Sequence, residues 1–367
     1  MHLLAAFLAS VALSQAPAVQ TVQQATKTVT ESKAEVRSVK ERERREAKER
    51  RQRERPELRA ERKRKRERER HGEESPVELG STLKIGLVGL TGGNNGSPDR
   101  AQAEIAEQTT DAKYDRIDVT SSLPPRITQG VQWGIKSLVL YSPDLKGRSS
   151  SQITSDMRKL ASEMEPLGLT EIEFGNEAYF ADSFNATEYA AEYKVAHAAL
   201  AGDGITLIAD LWDDSQTPKA LIQGNGGWGK AVASYLGYVP DAWSLHPYGG
   251  MTEDDIGETH GWLVVPEQLK YMKQFGYAAP LEVTEVGQPV WTGTDGAPAV
   301  SEAKQAADVK TYIEDSAKWG LASFYYFAMA DYTAPGGSSE GGYGLYDVHL
   351  HARPAAKAFG EAAREVG

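Results

Sequence analysis

The chain contains no cysteine. Disulfides, thiolate metal sites and thiol nucleophiles are therefore excluded. At 367 residues it is long enough to bury a core without such staples. Long apolar runs are scarce too. Beyond the opening MHLLAAFLASVALSQ, no stretch is long and apolar enough to span a bilayer. That opening run, followed by Ala16-Pro17-Ala18, has the pattern of an export signal, although no Lys or Arg precedes it. Residues 1–20 are expected to be such a signal, which makes the protein secreted or associated with the cell envelope. The missing cysteine rules out lipoprotein anchoring.

Basic residues are scarce over most of the length. Residues 27–79 hold 20 Lys and Arg against 14 Asp and Glu, whereas the rest of the chain holds 21 against 38. An acidic body lacks the basic face that phosphate backbones need, which argues against nucleic acid as partner. Neutral ligands such as sugars have no such requirement. The stretch KERERREAKERRQRERPELRAERKRKRERER has too few apolar residues to pack, no coiled-coil seam after Val39, and an interruption at Pro56. It reads as a charged stalk, helical or disordered, over residues 21–80. Its basic run at 62–66 is a candidate for holding an anionic envelope polymer or lipid.

From residue 81 to 367 short apolar runs alternate with amphipathic stretches of helical length. Eight runs stand out, at 83–89, 114–120, 135–141, 170–177, 205–210, 241–249, 280–287 and 321–329. Strand alternating with helix predicts a parallel sheet, and eight repeats in this length predict a (β/α)8 barrel. An open doubly wound sheet is the alternative. Barrels of this kind place reactive groups at the C-terminal ends of their strands. There the fourth run ends in Asn176-Glu177, the sixth in His246-Pro247-Tyr248 and the seventh in Thr284-Glu285. Two glutamates delivered by different strands suit glycosidic hydrolysis with retention, one as acid and one as nucleophile, with the carboxyl groups about 5–5.5 Å apart.

Phe174-Gly175-Asn176-Glu177 and Thr284-Glu285-Val286-Gly287, with an HPY strand end between them, resemble the strand-four and strand-seven signatures of glycoside hydrolase clan A. Members of families 39 and 5 are the most similar. The resemblance implies a retaining β-glycosidase acting on a poly- or oligosaccharide, with no metal or organic cofactor, and a monomer is expected. It implies Glu177 as acid/base, with a carboxyl raised by its neighbour Glu285, and Glu285 as nucleophile. By the same resemblance Asn176 binds the sugar 2-hydroxyl, Tyr248 bonds the nucleophile and His246 lines the same subsite. Arg116 and Asp118 are expected in a supporting ion-pair network. The clan's strand-eight Trp is missing; Tyr326 stands near that place, and Trp212, Trp228 or Trp291 are candidates for stacking on sugar.

Other readings stay open on the sequence alone. A catalytically inactive barrel that binds carbohydrate or cell wall would keep the same strand ends. A barrel aldolase would need a strand-end Lys or a metal-ligand set, and neither is present. Glu282, three residues before Glu285, has the opposite strand parity and is expected to face the helices as an ion-pair partner. Glu173 is expected to pair with a buried Arg. His349 and His351 read as a surface loop, not a metal site. The run GLVGLTGGNNGS lacks a phosphate-loop pattern, so Gly92, Gly93 and Gly96 are expected to form a lip of the cleft.

Overall fold

The structure is a computed structural model, and it describes residues 83–92, 99–178, 184–211, 227–248, 261–293, 297–335 and 340–367. The chain divides into two units, Met1–Pro76 and Val77–Gly367, and every described residue belongs to the second. The expected signal and stalk lie outside the described residues. Among those residues, no helix is long and apolar enough to cross a membrane.

Eight strands form where the apolar runs predict them. They are β1 Lys84–Val88, β2 Tyr114–Val119, β3 Lys136–Tyr141, β4 Glu171–Phe174, β5 Thr206–Asp210, β6 Ala242–Leu245, β7 Leu281–Val286 and β8 Ser323–Tyr326. One helix follows each: α1 Arg100–Thr110, α2 Pro125–Gln132, α3 Ser150–Met164, α4 Ala186–Ala199, α5 Gly227–Leu236, α6 Val264–Phe275, α7 Glu302–Trp319 and α8 Pro354–Val366. All neighbouring strands pair in parallel, and β8 closes on β1 through Lys84↔Ser323 to Leu87↔Tyr326. Closure excludes the open-sheet alternative.

Local sequence sets the element ends. Ser149 and Gln152 form a reciprocal capping box at the start of α3, as do Asn185 and Glu188 at α4. Strand residues alternate between two apolar layers. Ile85, Leu87, Ile172, Phe174, Val283 and Phe324 pack under the helices, whereas Val88, Leu138, Ile208, Ala242 and Tyr325 fill the barrel axis. Each such Val, Leu, Ile or Phe side chain, when fully buried, stabilises the fold by roughly 1.5–3 kcal/mol before chain entropy is counted. Gly86 is required beside Tyr325, because a Cβ there would lie 2.5 Å from the tyrosine ring.

Strand β7 breaks the alternation. Its pairing with β8 shifts register between Val283 and Val286, both of which pack in the helix layer. The irregularity leaves Thr284 and Glu285 facing the lumen in succession, and it overturns the parity argument for Glu282. That residue lies inside the barrel floor, 2% exposed, and accepts a hydrogen bond from Ser323 Oγ at 2.7 Å. It lines a basal cavity with Lys84, Glu171 and Thr206. Burial and the nearby Glu171 charge raise its carboxyl to about 7.

Candidate active site

Arg116, the third of six residues in β2, organises the barrel mouth. Its Nε donates to Glu173 Oε2 at 2.5 Å, its Nη2 to Asn176 Oδ1 at 2.8 Å, and its Nη1 to Glu285 Oε1. Glu173 is thus the buried partner of an arginine, as its depth on β4 predicts. Burial would raise the Glu173 carboxyl, but the charges and hydrogen bonds of Arg116 and His246 together outweigh it and hold the group at about 2. Arg116 itself is raised, since its carboxylate partners overcome the desolvation that opposes its charge. Asp118 is exposed at the end of β2, accepts from Ser142 Oγ at 3.1 Å and reaches Arg116 through its field alone.

His246, one residue beyond β6, touches both candidate catalytic carboxylates. Its Nδ1 is 3.0 Å from Glu177 Oε1 and 3.9 Å from Glu285 Oε2. On the other side of the ring, Nε2 is 3.0 Å from Thr284 Oγ1, which donates to Glu173 Oε1 at 2.8 Å. With its only hydrogen committed to Glu173, Thr284 can only accept from the imidazole. That shorter contact favours a proton on Nε2 over donation to it from Arg116 Nη2, 3.3 Å away, and leaves Nδ1 as the atom that gains or loses one between the glutamates. Desolvation would lower the imidazole; the Glu285 charge and the bonds to Glu173 and Glu177 raise it well above 6.5. Tyr248 Oη donates to Glu285 Oε2 at 2.8 Å, and burial plus the Glu285 charge keep the phenol protonated.

Glu177 corrects one expectation. Burial pushes its carboxyl up, but the hydrogen bond and charge of His246 more than offset that, so it is lowered, not raised by Glu285. Its backbone is also unusual, with φ +49°, a region that non-glycine residues seldom occupy. The turn is held from the next strand: Ala178 N–H donates to Asp210 Oδ2 at 2.6 Å. Asp210 is buried, its own N–H bonds Tyr189 Oη at 2.7 Å, and its carbonyl accepts from Trp228 Nε1 at 2.9 Å. Burial raises its carboxyl to about 7. Sequence reading passed over Asp210, although its place at the end of β5 marked it as a strand-end acid.

Strand β8 delivers a different aromatic from the one expected. Tyr326 points out of the barrel into the helix layer, fully buried, and accepts from Gln288 N–H at 3.4 Å. Its neighbour Phe327 turns inward. The Phe327 ring lies 6.2 Å from Tyr248, 5.5 Å from Tyr332 and 5.6 Å from Tyr343, forming an aromatic wall beside Glu285. Gly287 permits this packing, because a Cβ there would lie 2.1 Å from the Phe327 carbonyl oxygen. Trp291 is committed elsewhere in the chain. Its Nε1 donates to Asp331 Oδ2 at 3.2 Å, and it lines a cavity of about 330 Å³ with His349, His351 and Arg353. Trp228 is buried against Tyr189. Trp212 lies outside the described residues, as do Gly93 and Gly96 of the expected lip.

The loop after β1 gives no support to a phosphate site. Gly89 and Leu90 N–H groups donate to Asp115 Oδ1 at 3.0 Å each, and Thr91 N–H to Asp115 Oδ2 at 2.8 Å. His349 and His351 are exposed, and Asp347 takes both of their backbone N–H groups.

Glu177, His246 and Glu285 each offer one ligand atom, and these atoms lie within 4.8 Å of one another, so the strand ends do hold a potential metal-ligand set, contrary to the reading from sequence. The glutamate side chains keep 22% and 13% exposure, so the pair opens to solvent above a closed floor.

No protein-family model and no curated protein matches the chain. Solved structures do. A family 39 glycoside hydrolase from Bacteroides cellulosilyticus WH2 is 17% identical, with a TM-score of 0.58 over 79% of this chain and 65% of its own length. A glucosidase from Croceicoccus marinus is 12% identical, TM-score 0.57, covering 80% of this chain and 69% of its own. An endo-β-1,3-glucanase of family 128 from Sorangium cellulosum is 16% identical, TM-score 0.52, covering 76% and 98%. At these identities the likeness is one of architecture, and the chain has the eight-stranded parallel barrel fold that these glycoside hydrolases share.

Proposed function

We propose that the barrel is a retaining β-glycosidase in which Glu177 is the acid/base and Glu285 the nucleophile. One observation carries this reading: carboxylate oxygens of Glu177 and Glu285 lie within 4.8 Å of each other at the open end of the barrel. That spacing fits the about 5–5.5 Å of retaining enzymes and is too short for the water that an inverting pair must admit, about 6.5–9.5 Å.

The surroundings suit the two roles. Arg116 and Tyr248 hold both oxygens of Glu285 and favour the ionised nucleophile. The proton between His246 Nδ1 and Glu177 Oε1 passes through Glu177 to the departing oxygen as Glu285 attacks the anomeric carbon. That breaks the glycosidic bond and forms a glycosyl ester on Glu285. Glu177, now a carboxylate, takes a proton from water, whose oxygen attacks the same carbon and releases Glu285. Asn176, fixed by Arg116, is assigned to the sugar 2-hydroxyl, and Phe327, beside Tyr248, to the face of the sugar ring. Some barrels of this fold are named for β-glucans, including the Sorangium endo-β-1,3-glucanase and plant β-glucan endohydrolases, so β-glucans head the substrate panel. Export, and envelope association through the basic stretch before the barrel, complete the proposal.

The test is hydrolysis of aryl β-glycosides and β-glucans by wild type beside Glu285→Gln and Glu177→Gln. Each variant is expected to lose at least about 10²–10⁴-fold in kcat. Azide should restore turnover to a Glu285 variant truncated to Ala, with inversion of the product anomer. Sugar binding without any turnover in the wild type would leave a carbohydrate-binding barrel instead.

A further inference from the structure

We propose that Glu177, His246 and Glu285 form a site for one divalent transition-metal ion, and that the ion, once bound, blocks the enzyme. The inhibitory consequence rests on the glycosidase reading above; the site is argued from geometry and charge alone.

The Thr284 contact, shorter than that of Arg116 Nη2 to the same Nε2, points to Nδ1 as the free imidazole nitrogen. Thr284 gives its hydrogen to Glu173, so His246 donates through Nε2, and a neutral ring presents the Nδ1 lone pair to the two glutamates. Three lone-pair atoms then converge: Nδ1 is 3.0 Å from Glu177 Oε1 and 3.9 Å from Glu285 Oε2. A tetrahedral ion with bonds of about 2.0–2.2 Å holds its ligand atoms roughly 3.3–3.5 Å apart. The Glu177 contact is slightly short of that and the Glu285 contact slightly long, while the two glutamate oxygens lie within 4.8 Å of each other, so the Glu285 carboxylate closes the triangle by a swing that loosens its bonds to Arg116 and Tyr248. The ring is already fixed behind the ligand atom by the Thr284–Glu173 relay, the kind of outer support that metal-binding histidines use. A fourth position faces the solvent-open mouth.

Charge points the same way. One guanidinium, Arg116, faces three carboxylates, Glu173, Glu177 and Glu285. With the imidazole neutral, two negative charges stand uncompensated in a largely buried cluster. A proton on Nδ1 removes one of them; a divalent cation removes both. One imidazole and two carboxylates suit Zn²⁺, Cu²⁺ or Ni²⁺, whereas Mg²⁺ and Ca²⁺ require more oxygen ligands than converge here.

Binding can be read without turnover. Calorimetric titration of the full chain with Zn²⁺, and titration with Co²⁺ followed by its visible absorption, report affinity and coordination. One ion per chain is expected, with the intense absorption of four-coordinate Co²⁺ and no comparable heat from Mg²⁺. Affinity should fall more than about tenfold in His246→Gln and in Glu177→Gln, with circular dichroism confirming that each variant is folded. His351→Ala should bind as wild type does. No saturation below millimolar Zn²⁺, or binding that persists in both site variants, would overturn the proposal. So would loss of binding in His351→Ala, which would put the ion on the Asp347–His351 pair. The two readings fail separately. Zn²⁺ binding by a protein that cleaves no glycoside would keep the metal site and remove the glycosidase. Cleavage that Zn²⁺ neither inhibits nor accompanies by binding would do the reverse.

Discussion

His246 decides where the acid's proton rests. Its raised imidazole and the lowered Glu177 carboxyl mean that a proton stays between them past the ordinary imidazole value of 6.5. The alkaline limb of kcat/KM is therefore expected above that pH. In His246→Gln it should move to lower pH, because a carboxyl, even one raised by burial, releases its proton before an imidazolium held by carboxylates. A pH–rate profile of both proteins checks this; an unmoved limb would assign the proton elsewhere. Asp210 acts one step further back, by holding the Ala178 N–H and with it the left-handed turn at Glu177. Asp210→Ala is expected to lower kcat about 10²-fold with little change in KM, as a shift of about 1 Å in a reacting group does. Asp210→Asn, which keeps an acceptor, should recover most of it. The structure gathers Asn176, Glu177, His246, Tyr248 and Glu285 at the barrel mouth, where the sequence put them at strand ends and a family resemblance suggested their roles. The sequence did not disclose Asp210, whose role lies in a backbone contact to another strand, or the Glu177 charge state, which depends on a ring 69 positions away.

At the level of elements, alternation along a strand was a reliable guide until a strand departed from it. Glu173 behaved as its parity demanded, since β4 is regular between Glu171 and Phe174. Glu282 did not, because the shift in β7 occupies only the residues between Val283 and Val286 and leaves no mark in the composition. Tyr326 failed for a related reason. The run FYYFAM offers four candidates for one inward position, and strand register, absent from the sequence, gives it to Phe327. Phe327→Ala is expected to raise KM for oligosaccharides more than it lowers kcat, and Tyr326→Phe to leave both unchanged. Steady-state kinetics on one substrate separate the two. The segment from β8 to α8 depends on Arg353, which is 8% exposed and pairs with Asp331 through Nη1 and Nη2 at 2.8 and 2.5 Å. Arg353→Met leaves Asp331 buried without its charge partner and should cost about 3–5 kcal/mol of unfolding free energy. Urea denaturation measures it.

For the whole molecule, the number and order of strands were legible because eight apolar runs separated by helical stretches fit few other architectures. What the barrel does with buried charge was not legible, and it sets how stability follows pH. Glu282 and Asp210 have carboxyls raised to about 7 from ordinary values of 4.5 and 3.8. A folded pKa above the unfolded one contributes stability that is complete below the unfolded value and is lost as pH rises through about 7. Glu173, held at about 2, works the other way: its contribution is present above 4.5 and is lost as pH falls toward 2. Thermal unfolding is therefore expected to peak in mildly acidic solution. Glu282→Gln should flatten the decline between pH 5 and 8 and surpass wild type above about 7. An equal decline in the variant would move the cause away from the barrel floor.

The loop after β1 is held from within. Three successive backbone N–H groups there point at one carboxylate of the protein itself, Asp115. Leu90, Thr91 and Asp115 are buried, so these donors are spent inside the protein and none is left over for a ligand anion. The fold thus supplies its own counter-anion for this turn, and the loop is pinned to β2 by one carboxylate with no phosphate or sulfate needed.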